Sequence, residues 1–360
     1  MYTFETIIVL LQFYVKLAII ISLLKILEER YMSNGKNQKK NILSALVAVI
    51  FTIVMYLFGS GISDTFFEPS ETIETTQILE TTQTGDVENL SGELTLTMID
   101  VGQADSFLLV QNDETMLVDC GTRSTGADVV SYLKEQGIKR LDYVIGTHPH
   151  DDHMGGMYDV ITNFEIGKII MPEVKVGKVT TNWYIKLIQE IKQGDYELEY
   201  AKLGTTYDLG DASFKIIGPI ETDDSNLNNY SIVLKVTFGD MDIIMTGDAE
   251  TKVERDIIDS GEVLDAEILK VGHHGSDTSS SDEFIDAVSP LYALISTKIG
   301  NKYEHPIKTT MQKLEERKIE VYRTDENGTV VATITAHDVK FSTAPGDYLS
   351  GTELEEAKNK

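Results

Sequence analysis

From Leu94 onward, apolar and polar positions fall into short periodic runs. Leu94-Thr95-Leu96-Thr97-Met98-Ile99 alternates with period two, as a half-buried strand does, and Phe107 to Val110 and Met116 to Val118 follow with turn residues between them. Helical and strand patterns then alternate. Ala127 to Gln136 and Asn182 to Lys192 read as helices, with Tyr143 to Gly146 and Ile169 to Met171 as buried strands between them. Phe214 to Ile217, Ser231 to Phe238 and Asp242 to Met245 are strand-like, followed by a helix near Lys252 to Asp259 and a strand at Glu267 to Val271. Ser280-Ser281-Asp282-Glu283 has the spacing of a capping box and opens a helix ending near Val288. Tyr292 to Ser296 and Ile319 to Tyr322 are further buried strands, and Asp325-Glu326-Asn327-Gly328 is a turn leading into Val330 to Ile334. The class is α+β, and two sheets covered by helices on their outer faces use this material well. The folded domain is expected over 94–343, with a frayed polar tail over 344–360.

The material before Leu94 differs. Residues 41–62 are apolar, uncharged and about long enough to cross a bilayer core. They read as a transmembrane anchor, because a buried soluble helix would show a polar face. The basic cluster Lys36-Asn37-Gln38-Lys39-Lys40 precedes them, which by the positive-inside tendency puts the following domain outside the cell membrane. Cleavage near Gly59-Ser60-Gly61 would instead release a secreted protein. Within 1–40, Phe4 to Leu27 is a second apolar stretch carrying Lys16 and Lys25. It forms a membrane hairpin with the anchor, or else Met32 is the true start. Residues 63–93 contain eight acidic residues and no basic one among Thr and Gln, a composition that does not fold and reads as a disordered linker.

Charge changes the functional picture. A formal net charge of -27 over 360 residues argues against a surface that grips nucleic acid by broad phosphate neutralisation. An anionic substrate must be held locally. The single cysteine, Cys120, allows no intramolecular disulfide and no thiolate metal site.

The chemistry concentrates after Tyr143 to Gly146, in Thr147-His148-Pro149-His150-Asp151-Asp152-His153. Three imidazoles and a carboxylate at one strand end suit divalent metals with nitrogen and oxygen ligands. Asp119, Asp248 and the pair His273-His274 also follow buried strands. Singly, each is as readily a turn former or helix cap; together they describe one polar cluster held by a rigid core.

These successive motifs resemble those of the metallo-β-lactamase superfamily over roughly Leu94 to Thr343. Within it, Asp100-Val101-Gly102-Gln103-Ala104-Asp105-Ser106, Asn228-Asn229-Tyr230-Ser231, Lys270 to Ser276 and His305-Pro306 resemble the extracytoplasmic hydrolase domain of ComEC-type competence proteins. The resemblance implies an αββα sandwich with two divalent ions, Zn²⁺ or Mn²⁺, between the sheet edges. It implies that His148 and His150 bind one ion, that Asp152 and His153 bind the other with one of His273 or His274, and that Asp248 bridges. Asp119, Asp152 and His305 are the implied catalytic residues: Asp119 orients a ligand or water, and His305 reaches the substrate or protonates a leaving group, unless His305-Pro306 is only a structural turn. Two such ions, about 3.5–4 Å apart, lower the pKa of water toward 7 and stabilise developing negative charge. A phosphodiesterase or nuclease is the expected activity, with a phosphodiester partner such as single-stranded DNA. An esterase of phosphorylated cell-envelope polymers and a non-catalytic scaffold are the rivals, and β-lactam hydrolysis ranks below them. Two departures stand out. Ala104 replaces a usual glycine, and no histidine lies between His153 and His273, which leaves the first metal short of a protein ligand. The many-helix channel portion of competence proteins is missing, so DNA transport is not carried over.

Overall fold

The computed structural model describes residues 92–222 and 225–359. The expected anchor at 41–62, the stretch before it and nearly all of the expected linker lie outside the described residues. Among the described residues, no helix is long and apolar enough to cross a membrane.

In chain order the strands are β1 (Leu94–Met98), β2 (Phe107–Gln111), β3 (Glu114–Val118), β4 (Arg140–Ile145), β5 (Glu165–Met171), β6 (Glu197–Tyr200), β7 (Thr206–Leu209) and β8 (Ala212–Gly218). They continue with β9 (Val233–Phe238), β10 (Met241–Met245), β11 (Ile268–Lys270), β12 (Tyr292–Ile295), β13 (Glu320–Arg323), β14 (Val330–Ile334) and β15 (Val339–Phe341). They form an eight-stranded sheet ordered β15-β14-β1-β2-β3-β4-β5-β6 and a seven-stranded sheet ordered β13-β12-β11-β10-β9-β8-β7. Each sheet is part antiparallel and part parallel; the parallel pairs include β3 with β4 and β10 with β11. The chain returns to its beginning late, where β14 pairs antiparallel with β1, Leu94 opposite Ile334.

The period-two pattern explains the layering, because successive side chains leave a strand on opposite faces. Leu94, Leu96 and Met98, with Phe107 and Leu109, turn into the layer between the sheets, where they meet Phe214, Leu234 and Val236. Leu108, Leu117, Val144 and Ile169 face the other way. They lie under helices α1 (Gly126–Glu135), α2 (Asp151–Met154), α3 (Met157–Ile161) and α4 (Asn182–Gln193). On the far side, Val233, Ile244, Leu269 and Ala293 lie under α5 (Thr251–Asp259), α6 (Asp282–Val288) and α7 (Lys308–Glu316). Helix, sheet, sheet and helix thus stack as the sequence predicts.

Some local expectations are corrected. Helix α6 is capped by Ser281, whose hydroxyl accepts the Phe284 N–H, while Ser280 has φ +52° and its hydroxyl accepts the Gly272 N–H. The third helical position is Phe284, which has no side-chain acceptor, so there is no reciprocal box. The turn expected at Asp325 to Gly328 is a short helix, α8 (Thr324–Asn327). The tail is not frayed: α9 (Gly351–Lys358) is closed by a full capping box between Ser350 and Glu353. Leu354 is buried and the Gly351 N–H donates to Pro306 O over 2.9 Å, so these contacts dock the segment on the domain.

Candidate metal centre

The site is assembled by the parallel strand pairs, whose carboxyl ends open on the same side. Register between β3 and β4 brings Asp119 beside Thr147: its Oδ1 accepts the Thr147 N–H at 2.8 Å and its Oδ2 the hydroxyl at 2.7 Å. Register between β10 and β11 brings Gly247-Asp248 beside Gly272 to His274, and the His273 N–H donates to Gly247 O. Gly247 has φ +53°, and a Cβ there would meet Thr147 and the Ser231 hydroxyl at 3.0–3.1 Å. Only glycine lets these strand ends approach so closely. Asp119, His273 and His274 also hold positive φ, at 60°, 50° and 55°. Such backbone costs about 1–3 kcal/mol per residue and persists only where the surroundings over-determine it.

Asp248 sits at the centre. Its Oδ2 lies 3.1 Å from His153 Nε2, 3.6 Å from His273 Nε2 and 3.8 Å from His148 Nε2, and its Oδ1 lies 3.8 Å from His274 Nε2. Asp152 Oδ2 is 3.7 Å from His274 Nε2. Asp152, His153, Asp248 and His274 each offer a ligand atom, all within 4.8 Å of one another. His148 Nε2 and His150 Nδ1 meet at 2.9 Å on the His148 side of Asp248. The opposite ring nitrogens are held from behind: His153 Nδ1 by Asp119 at 2.7 Å, His274 Nδ1 by Ser296 O at 2.8 Å, and His148 Nδ1 by the Ser231 hydroxyl at 3.2 Å. Such partners fix ring orientation and aim the free nitrogen inward.

The histidine pair left open by the sequence is separated by its surroundings. His274 is buried and its Nε2 belongs to the cluster, whereas His273 is a quarter exposed, bonds Thr278 through Nδ1 and lines the cleft. His305 is brought to the same cleft, its ring centroid 5.5 Å from that of His273. Burial, with the imidazoles of His274 and His273, pushes His305 down to about 4. It is therefore neutral at pH 7, which suits hydrogen bonding and makes it a poor proton donor.

Whether the residues fit metal ions is decided by their unmet valences. His153 Nε2, His274 Nε2 and Asp248 Oδ1 are buried without a hydrogen bond, and all three face the cluster. Such orphans are costly in a core. Charge points the same way. Burial raises Asp248, but His153 and His274 outweigh it and hold its carboxyl well below the usual range. In return, carboxylates overcome the burial penalty on His153 and His274 and raise both, His274 to about 10. In the bare protein, protons on these rings offset the buried carboxylates; divalent cations would do so more completely.

Three residues inside the motifs quoted above, Lys270, Asp105 and Asn228, take contacts that the motifs alone do not give. Lys270 is buried, its Nζ 2.6 Å from Asp105 Oδ2 and 2.7 Å from Gly247 O. Burial lowers it, but Asp105 and Asp248 outweigh this and keep it charged. A lysine closing the apolar run Ile268-Leu269 was its sequence signal. Asn228, from the stretch between His153 and His273 that has no histidine, is buried beside the cleft. Its amide donates to Glu250, which also binds the Asn226 amide, so its Oδ1 faces away from Glu250; that oxygen is buried without a hydrogen bond, and Asn228 lines the cleft with His150.

A two-sheet sandwich with an Asp/His cluster at its strand ends defines a class of metallo-hydrolases. Residues 99–297 match the Metallo-beta-lactamase superfamily, and the chain belongs to that family. Over 259 residues it is 32% identical to ComE operon protein 3 of Bacillus subtilis (strain 168), covering 67% of this chain and 33% of that protein. It is 31% identical over 238 residues to Competence protein ComA of Neisseria gonorrhoeae, covering 66% and 32%. Recombination protein 2 of Haemophilus influenzae is 28% identical over 237 residues, covering 64% and 28%. The chain spans about a third of the length of these relatives. The resemblance read from the motifs therefore holds: this is a metallo-β-lactamase-fold, metal-dependent hydrolase related to competence proteins.

Proposed function

We propose that the chain hydrolyses phosphodiesters with two divalent cations, Zn²⁺ or Mn²⁺. The observation that carries this reading is the central placement of Asp248 between the His148 and His150 pair and the Asp152, His153 and His274 group, beside an open cleft. His148, His150, Asn228 and Asp248 would hold one ion, and Asp152, His153, His274 and Asp248 the other. When bound, the pair supplies a nucleophilic hydroxide near neutral pH and a clamp for the negative charge that develops in phosphoryl transfer. The protein's part is to hold these groups in place. Asp105 holds the Lys270 ammonium 3.8 Å from Asp248, Asp119 fixes the His153 ring, and Gln103, His273 and His305 would present hydrogen-bonding groups to the substrate. Positive charge is thus gathered at the scissile group of an otherwise acidic molecule.

The test is to measure bound metal in the full-length chain and to assay a small phosphodiester, single-stranded DNA, a phosphorylated envelope polymer and a β-lactam in parallel. Metal-dependent diester hydrolysis is expected, reduced at least about 100-fold in His150→Ala, the upper end of what losing even an outer partner costs. Hydrolysis of the envelope polymer alone would favour the esterase. Absence of tightly held metal and of all turnover after Zn²⁺ or Mn²⁺ addition would leave a binding module. For location, we propose that residues 41–62 anchor the chain with its hydrolase domain outside the cell membrane; release of the intact chain by alkaline carbonate would exclude this.

A further inference from the structure

The cleft does not end at the metal-binding cluster. It shares Gln103, Asp151, Asp152 and Tyr303 with a second depression whose remaining wall includes Thr122, Lys298, Asn301 and Lys302. The wall is built rather than incidental. Asn301 accepts the Tyr303 and His305 N–H groups, both at 3.1 Å, and donates to Lys298 O and His305 O at 2.8 and 2.6 Å. Gln103 ties the same loop to the domain through Thr297. This scaffold presents three side chains to solvent beside the metal cluster. Lys298 is exposed, the Lys302 ammonium sits 4.6 Å over the Tyr303 ring, and Tyr303 is 50% exposed while lying nearly parallel to His305, at 24° and 5.6 Å. The acidic groups around them are Asp151, which pairs with Arg123 at 2.7 Å, Asp152, which belongs to the metal cluster, exposed Glu304, and Glu355, whose carboxylate would lie 3.2 Å from a Cβ on Gly300. On a chain of net charge -27, two lysines and a half-exposed aromatic ring grouped beside the metal-binding cluster form a local basic wall.

We propose that the loop from Lys298 to Tyr303 is a strand-binding subsite for the nucleotide next to the scissile linkage, with its phosphate on Lys298 and Lys302 and its base on Tyr303. This rests on the phosphodiester reading of the metal centre and narrows it to a single-stranded nucleic acid. A polyol phosphate has the charge for the lysines but no ring for Tyr303. Base stacking on an exposed aromatic beside a basic groove is how sequence-tolerant strand binding is achieved.

The test is fluorescence anisotropy of a short labelled single-stranded oligonucleotide with the full-length chain, with and without Mn²⁺, across a salt series. Relative to the parent, K298A/K302A weakens binding about tenfold and lowers the logarithmic salt slope by roughly 0.7 per lysine, while K298R/K302R restores both. Tyr303→Ala weakens binding about tenfold and Tyr303→Phe keeps it. Metal content and thermal midpoint, measured on each variant, exclude a general loss of fold. Unchanged binding in K298A/K302A, no binding by the parent, or equal competition by a polyglycerol phosphate with no effect of Tyr303→Ala would each overturn the subsite. Failure of the underlying reading shows separately, as absence of metal-dependent turnover of the small diester.

Discussion

At the residue scale, Asn228 is proposed to stand in for the histidine absent between His153 and His273. Its oxygen is a neutral donor held by the grip of Glu250 on the other end of the amide. Asn228→Ala should weaken the more loosely held metal about tenfold while leaving the other equivalent in place, as read by calorimetric titration or the absorption of the Co²⁺-substituted protein. Equal loss of both metals, or of neither, would contradict this role. His274 carries a second prediction, for the metal-free protein. Burial lowers its pKa, but Asp248 and Asp105 outweigh this and raise it from 6.5 to about 10. A raised folded-state value means its stabilisation is complete below about pH 6.5 and is lost as pH climbs toward 10. His153 is shifted the same way. After chelator treatment, the denaturation midpoint should therefore fall steadily over that window, and the metal-loaded protein should lack the fall; a flat profile without metal would count against the cluster's charge balance.

At the level of elements, α9 changes how the domain must be drawn. It backs the loop of the proposed subsite: a Cβ on Gly300 would lie 3.2 Å from Glu355, and Gly351 packs against the carbonyl of His305. Deleting residues 350–360 exposes apolar surface around Leu354 and breaks the bond to Pro306, a loss of about 3 kcal/mol. A drop of roughly 5–10 °C in the thermal midpoint is expected, with weaker turnover through a loosened His305; an unchanged midpoint would show that the helix merely decorates the surface. The strands were legible because one-sided burial enforces alternation, as in Leu94 to Met98, and the metal motifs because three imidazoles rarely crowd one strand end. The tail was not, since its polar composition hides a single apolar anchor, although the Ser350 and Glu353 spacing was a usable signal. Helix α7 escaped because only Thr310, Met311 and Leu314 face inward from a polar run. Lys270 and Asp105 stood in the resembling motifs, but their pairing was not legible, because it joins residues 165 positions apart in sequence.

For the whole molecule, the net charge of -27 acts at a distance. A field of this sign draws divalent cations toward the cluster and repels polyanions. The rate at which chelator-treated protein takes up Mn²⁺ should accordingly fall several-fold between low and physiological ionic strength, as stopped-flow fluorescence would show; a salt-independent rate would mean that the cluster alone governs capture. The pairing of β1 with β14 has a consequence of another kind. The first strand of the domain finds one of its two neighbours only after more than two hundred further residues have been made. Until Val330 to Ile334 emerge from the ribosome, one edge of β1 stands open and the first sheet cannot close. The first sheet therefore completes its pairing only once these residues have been made, and its earlier portions must be kept from pairing with one another across neighbouring chains.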